Sequence, residues 1–116
     1  MIVVDTNVLA YFLLPYEHSA AADALFKRDP DWAAPILWRS EFRNLLAGEL
    51  RRKNLSFDEI VRVQGEAESL LGGHEHEVDS RRVLEFVRDS NCTAYDCEFV
   101  VLAARLGVKA VTMDAK

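Results

Sequence analysis

The tightest constraint in this chain is its second to fourth residues, Ile2-Val3-Val4, a run that is apolar at every position and stops on Asp5. Alternation would leave one face of a strand in water; an uninterrupted β-branched run instead predicts a strand buried on both faces. Such a strand needs a layer of helices above and below it, which restricts the fold to an α/β sandwich. Similar short runs recur at 32–34, between Pro30 and Pro35, at 74–78 and at 109–113, each separated from the next by helix-length segments. Strands alternating with helices predict a parallel sheet.

The helices carry their own start and stop signals. Asp5 or Thr6 can cap a helix over 8–14 closed by Pro15, and Ala20, Ala21, Ala24 and Leu25 give 17–27 a helical spacing. A long helix is expected over 36–52, with Leu37, Trp38, Phe42, Leu45 and Leu46 on one face. Ser56 followed by Glu59 is a capping box for a helix reaching 71 and stopped by Gly72-Gly73. Asp79 caps 81–88, and Thr93 caps 94–106 ahead of Gly107. At 116 residues, without repeat or linker, this is one domain with one core.

Function classes narrow next. The longest apolar run, 8–14, is about half a bilayer crossing, and no basic leader precedes it, so the expectation is a cytoplasmic protein with no membrane partner. Cys92 and Cys97 are too few for a disulfide framework or a zinc site and read as reduced thiols. A net charge of −5 argues against nonspecific nucleic-acid binding, unless several acids converge and cations neutralise them there.

Ligands of open α/β sheets bind beyond the carboxyl ends of the strands. Asp5 ends the first strand and Asp114 the last, while Asp96 falls in the first turn of the helix from Ala94. Glu41 lies in the long helix with Leu37 and Leu45 four residues away on either side, bordering a face that should be buried. Each acid alone has a structural reading: Asp5 as a cap, Asp96 as a partner of the helix dipole, Asp114 as a turn residue. Glu49 approaches the same apolar face as Glu41, so helical phase singles out neither. Together, four carboxylates at one sheet end need hard cations between them. Oxygen-only ligands suit Mg2+ or Mn2+, which can support attack on a phosphodiester.

At these residues the chain resembles the PIN-domain ribonucleases, in particular VapC-type toxins of bacterial type II toxin–antitoxin systems. The matching segments are VVDTNVLAYFL with Asp5, RSEFRNLL with Glu41, TAYDCEFVVLAARLG with Asp96 and AVTMDAK with Asp114. The resemblance implies a Rossmann-like three-layer α/β fold with a central parallel sheet of about four to five short strands. It also implies an Mg2+- or Mn2+-dependent endoribonuclease leaving 5′-phosphate and 3′-hydroxyl ends. Asp5 and Asp96 would be the principal metal ligands, Glu41 and Asp114 would complete the pocket, and Asn7 and Thr112 would orient the acids. A homodimer silenced by a cognate antitoxin is implied as well. Residues 1–116 then form a single PIN domain; similar proteins usually continue past the position of Asp114, often with a final edge strand, which puts the role of Asp114 in question more than the others.

Arg39 and Arg43 flank Glu41 and are better placed than the run 51–53 to meet phosphate, although either could simply pair with a surface acid. His74 and His76 in HEHE, and the basic run 51–53, read better as an exposed edge and a helix end, and Trp32 and Trp38 better as packing than as base-stacking groups. The alternative to an enzyme is a non-catalytic interaction or nucleic-acid-binding module with the same fold; a phospho-acceptor receiver fits less well, because Thr6 and Asn7 stand where its acidic pair would be.

Overall fold

In the computed structural model, which describes residues 1–14 and 19–113, the strands are β1 (Ile2–Val4), β2 (Trp32–Pro35), β3 (Glu75–His76) and β4 (Lys109–Val111). The helices are α1 (Thr6–Leu13), α2 (Ala20–Arg28), α3 (Trp38–Arg51), α4 (Phe57–Leu70), α5 (Ser80–Arg88) and α6 (Ala94–Leu106). All strand pairs are parallel, in the order β3-β2-β1-β4, with Ile2 opposite both Trp32 and Lys109.

Alternate residues of β1 and β2 feed two cores, as the period of two along a strand requires. Ile2, Val4, Trp32 and Ala34 meet Val8, Leu9, Trp38, Phe42, Leu46, Val63 and Leu71 on one face. Val3 and Ala33 meet Phe99, Leu102 and Ala103 of α6 on the other, and α5 packs on α6 through Val83 against Cys97 and Val101. This gives three layers: α1–α4, the sheet, and α5–α6. Full burial of a side chain such as Phe42 is worth about 1.5–3 kcal/mol, so the interior of β1 and its cover hold the carboxyl end of the strand in place.

Several boundaries differ from the sequence expectation. Helix α2 opens at Ala20 because the Ser19 hydroxyl accepts from the Ala21 and Ala22 N–H groups; the expected start at Glu17 and the stop at Pro15 lie outside the described residues. Helix α3 opens at Trp38, since Ile36 and Leu37 are taken up by the turn leaving β2, where the Ile36 N–H bonds to the His76 carbonyl. Strand β3 is only two residues long, and β4 ends at Val111. The capping box of Ser56 and Glu59 and the left-handed cap at Gly107 are where expected.

The order of the strands locates the cleft. The chain leaves β1 toward β2 and β3, then returns through α5 and α6 to place β4 on the other side of β1. The reversal falls between β1 and β4, and the carboxyl ends of those two strands border the crevice where such sheets take ligands.

Candidate active site

Three acids reach this crevice from the N-terminal ends of three helices. Asp5 follows β1 and caps α1, its Oδ1 accepting from the Val8 N–H at 3.1 Å. Glu41 is in the first turn of α3, and Asp96 in the first turn of α6, whose cap Thr93 accepts from the Asp96 N–H at 3.1 Å. In a parallel sheet, α1 and α3 begin where their strands end, and α6 begins at the same edge on its way back to β4. Each carboxylate thus sits at the positive end of a helix dipole, which favours negative charge there.

Two hydroxyls fix the acids in orientation, while the expected amide, Asn7, bonds to backbone instead of to an acid. Thr112, just past β4, donates to Asp5 Oδ2, and Thr6 donates to Glu41 Oε1 at 2.9 Å. The Asn7 side-chain amide donates to the Met113 carbonyl at 3.1 Å, tying the start of α1 to the segment after β4. These bonds occupy one lone pair on each oxygen they touch and leave the others open.

The electrostatics are those of an uncompensated cluster. Burial raises the Asp5 carboxyl above its ordinary value, and the charge of Asp96 adds to the rise, against the lowering effect of the Thr112, Val8 and Asn7 bonds. Burial likewise raises Glu41, with Asp96 and Asp5 adding to it and the Thr6 bond opposing. Among the described residues, the charges acting on these two acids are other carboxylates.

Sequence reasoning missed a further acid, Glu98. It is half-buried on α6, and its carboxyl is raised by burial and by the charge of Glu41. Its signal was readable: Glu98 is the one charged residue in the otherwise apolar stretch from Cys97 to Ala104. Glu49, the competitor of Glu41, is only 4% exposed but accepts from Arg52 and from the Asn54 amide, which closes the end of α3.

The expected phosphate contacts turn elsewhere. Arg39 holds Glu75 with Nε at 2.6 Å and Nη2 at 2.8 Å, and Nη1 reaches Glu68 at 3.0 Å. Arg43 donates back to the Arg39 carbonyl and lies along a groove between α3 and α4. The cause is helical phase: two residues along a helix is about 200° of rotation, so the neighbours of Glu41 in sequence face away from it in space. Trp32 and Trp38 are fully buried, their indole N–H groups donating to the Asp29 carbonyl and to Glu75. His74 pairs with Asp31 at 3.2 Å. Asp114 lies outside the described residues.

The donor set is carboxylate and hydroxyl oxygen throughout, which fits a hard divalent cation. Among the described residues no three Asp, Glu, His or Cys side chains close into a cage around one point. The cleft is roomy: a cavity of about 640 Å³ is lined by Asp5, Asn7, Asp96, Val100, Thr112 and Met113 among others. Among the described residues, no helix is long and apolar enough to cross a membrane.

The family model for the PIN domain matches residues 2–116. Among solved structures, PAE2754 from Pyrobaculum aerophilum is similar over 98% of this chain and 80% of its own, at 23% identity and a TM-score of 0.73. VapC20 from Mycobacterium tuberculosis, described as a Sarcin-Ricin loop cleaving toxin, is similar over 100% of this chain and 92% of its own, at 17% identity and a TM-score of 0.69. Comparison with the curated proteins finds no match.

Proposed function

The chain belongs to the PIN domain family, and from that premise we propose that it is a divalent-metal-dependent endoribonuclease, the toxin of a toxin–antitoxin pair. The observation that carries the reading is the convergence of Asp5, Glu41 and Asp96 at the strand-order reversal, where the charge of Asp96 acts on both Asp5 and Glu41. A fold shared with VapC20 supports the toxin role and an RNA substrate.

Asp5 and Asp96 would hold Mg2+ or Mn2+, with Glu41 contributing directly or through water, and Asp114 is proposed as a fourth ligand. The ion supplies Lewis acidity toward the phosphodiester and offsets the charge that builds on it during attack. The chain's own residues prepare that step. Thr112 and the Val8 N–H hold both oxygens of Asp5, Thr6 holds Oε1 of Glu41, and Asn7 ties the start of α1 to Met113. Because these bonds form within the fold, little reorganisation is needed when charge develops. Placing the acids at three helix starts also lets the dipoles carry part of their repulsion while the site is empty of substrate.

In this reading the protein acts in the cytoplasm as a homodimer and is held silent by a cognate antitoxin. The test is cleavage of end-labelled RNA. Products with 5′-phosphate and 3′-hydroxyl ends from the wild type, and none from Asp96→Asn, are expected. Intact RNA from the wild type, or equal cutting by the variant, overturns the proposal in favour of a non-catalytic module.

A further inference from the structure

Nearly all the ring-to-ring packing in this protein is inside the core: Phe12, Phe26 and Trp32 contact one another, and Trp38 packs against Phe42. Tyr95 is placed otherwise. It lies in the first turn of α6, next to Asp96, with 60% of its surface exposed. Among the described residues its ring and its hydroxyl have no hydrogen-bond or ring partner. An aromatic side chain can bury roughly 150–250 Å² when packed, and here more than half of the side chain is left open next to Asp96.

Helical spacing sets its direction. Phe99, four residues on, shares its face, and Phe99 packs on Val3 of β1 and Ala33 of β2. Helical side chains lean toward the N-terminus. Tyr95 therefore stands one turn beyond Phe99, past the carboxyl ends of β1 and β2, on the side where Asp5 and Glu41 arise. Ile36, leaving β2, is 52% exposed, and Ile36, Ala94 and Glu98, the last two on either side of Tyr95 and Asp96 in α6, line a second cavity of about 450 Å³.

Resting on the reading as a ribonuclease, we propose that Tyr95 is the base-stacking residue of the site, receiving the face of an unpaired nucleobase next to the scissile phosphate. The cleft has acids but no free arginine from α3, and the chain carries a net charge of −5, so backbone electrostatics contribute little affinity outside the cation. Stacking is an affinity source that needs no positive charge and tolerates any base. Within a continuous duplex both faces of each base are covered, so a site built on Tyr95 selects nucleotides already unstacked in loops or single strands.

The test uses the full chain as wild type, Tyr95→Phe and Tyr95→Ala with single-stranded RNA carrying 2-aminopurine, whose fluorescence is quenched by stacking. Quenching on binding is expected with the wild type and Tyr95→Phe. Tyr95→Ala should lose it, bind about 5- to 150-fold more weakly, and show that loss in KM rather than kcat. Mn2+ affinity should be the same in all three proteins, which shows the acids undisturbed. Equal binding and quenching by Tyr95→Ala, with the wild type binding and cutting RNA, overturns the stacking role alone. A wild type that neither binds nor cuts RNA overturns the ribonuclease reading and this inference with it.

Discussion

Asp5 has two jobs that a pair of substitutions can separate. Its Oδ1 caps α1 through the Val8 N–H, and its charge stands in a buried position near Asp96. Asp5→Asn keeps the acceptor, and asparagine caps a helix about as well as aspartate. The Thr112 hydroxyl can rotate to accept from the new amide. Asp5→Ala removes the charge and the cap together, and losing such a cap costs about 1 kcal/mol, within a range of about 0.5–2. For a chain of this size 1 kcal/mol corresponds to a shift of about 3–6 °C in melting temperature. In chelator, therefore, Asp5→Asn should melt at or above the wild type, because it relieves desolvation and repulsion. Asp5→Ala should melt about 3–6 °C below Asp5→Asn. Added Mg2+ should raise the melting temperature of the wild type and leave both variants where they were. Melting followed by circular dichroism reads all three proteins. If Asp5→Asn falls as far as Asp5→Ala in chelator, the carboxylate is a structural element and the argument from an uncompensated charge fails.

Other consequences follow from the same geometry. Asp5 and Glu41 have folded-state pKa values above their ordinary 3.8 and 4.5, so the folded protein binds these protons more tightly than the unfolded chain. Their contribution to stability is present at acid pH and lost as pH rises through the folded values. In metal-free melts from acid to neutral pH, the wild type should therefore lose ground to Asp5→Asn/Glu41→Gln, and a constant difference would contradict the shifts. Thr93→Ala removes the cap of α6 and should cost about 1 kcal/mol in melts while also lowering kcat, since Asp96 loses its anchored turn; a stability loss with kcat intact would separate the cap from the site. Arg39→Gln should lower the melting temperature at neutral pH and leave RNA affinity unchanged. Arg39 holds Glu75 below its ordinary 4.5, a contribution present above that value and lost as pH falls through the folded one, so the penalty should shrink in acid. A selective loss of RNA binding at unchanged stability would restore Arg39 to the substrate path.

The architecture was legible because its determinants are local. An uninterrupted β-branched run announces a doubly covered strand, and Asp5, Ser56, Asp79 and Thr93 each announce a helix start that the backbone realises. Ile36 was misassigned to a helix because its partner, the His76 carbonyl, lies 40 residues away in β3 and no local signal encodes it. The placement of Asp5, Glu41 and Asp96 beyond the strand ends was legible from the order of strands and helices, whereas the acids that Arg39 meets, Glu75 and Glu68, were not, because they lie on other elements. Glu98 escaped for the converse reason: its nearness to Glu41 comes from two helices on opposite sides of the sheet meeting beyond its edge. Glu41 and Glu49 were indistinguishable by phase, and only the contacts separate a carboxylate held by Thr6 in the cleft from one consumed by Arg52 and Asn54.

The central claim is that the converging acids gather a cation that makes RNA hydrolysis possible. Its most direct test is incubation of purified, antitoxin-free protein with labelled mixed RNA in Mg2+, in Mn2+ and in chelator, beside Asp5→Asn. The account predicts cutting by the wild type in either metal, none in chelator, recovery when metal is restored, and none from the variant. Cutting that persists in chelator, or that Asp5→Asn retains, would contradict it.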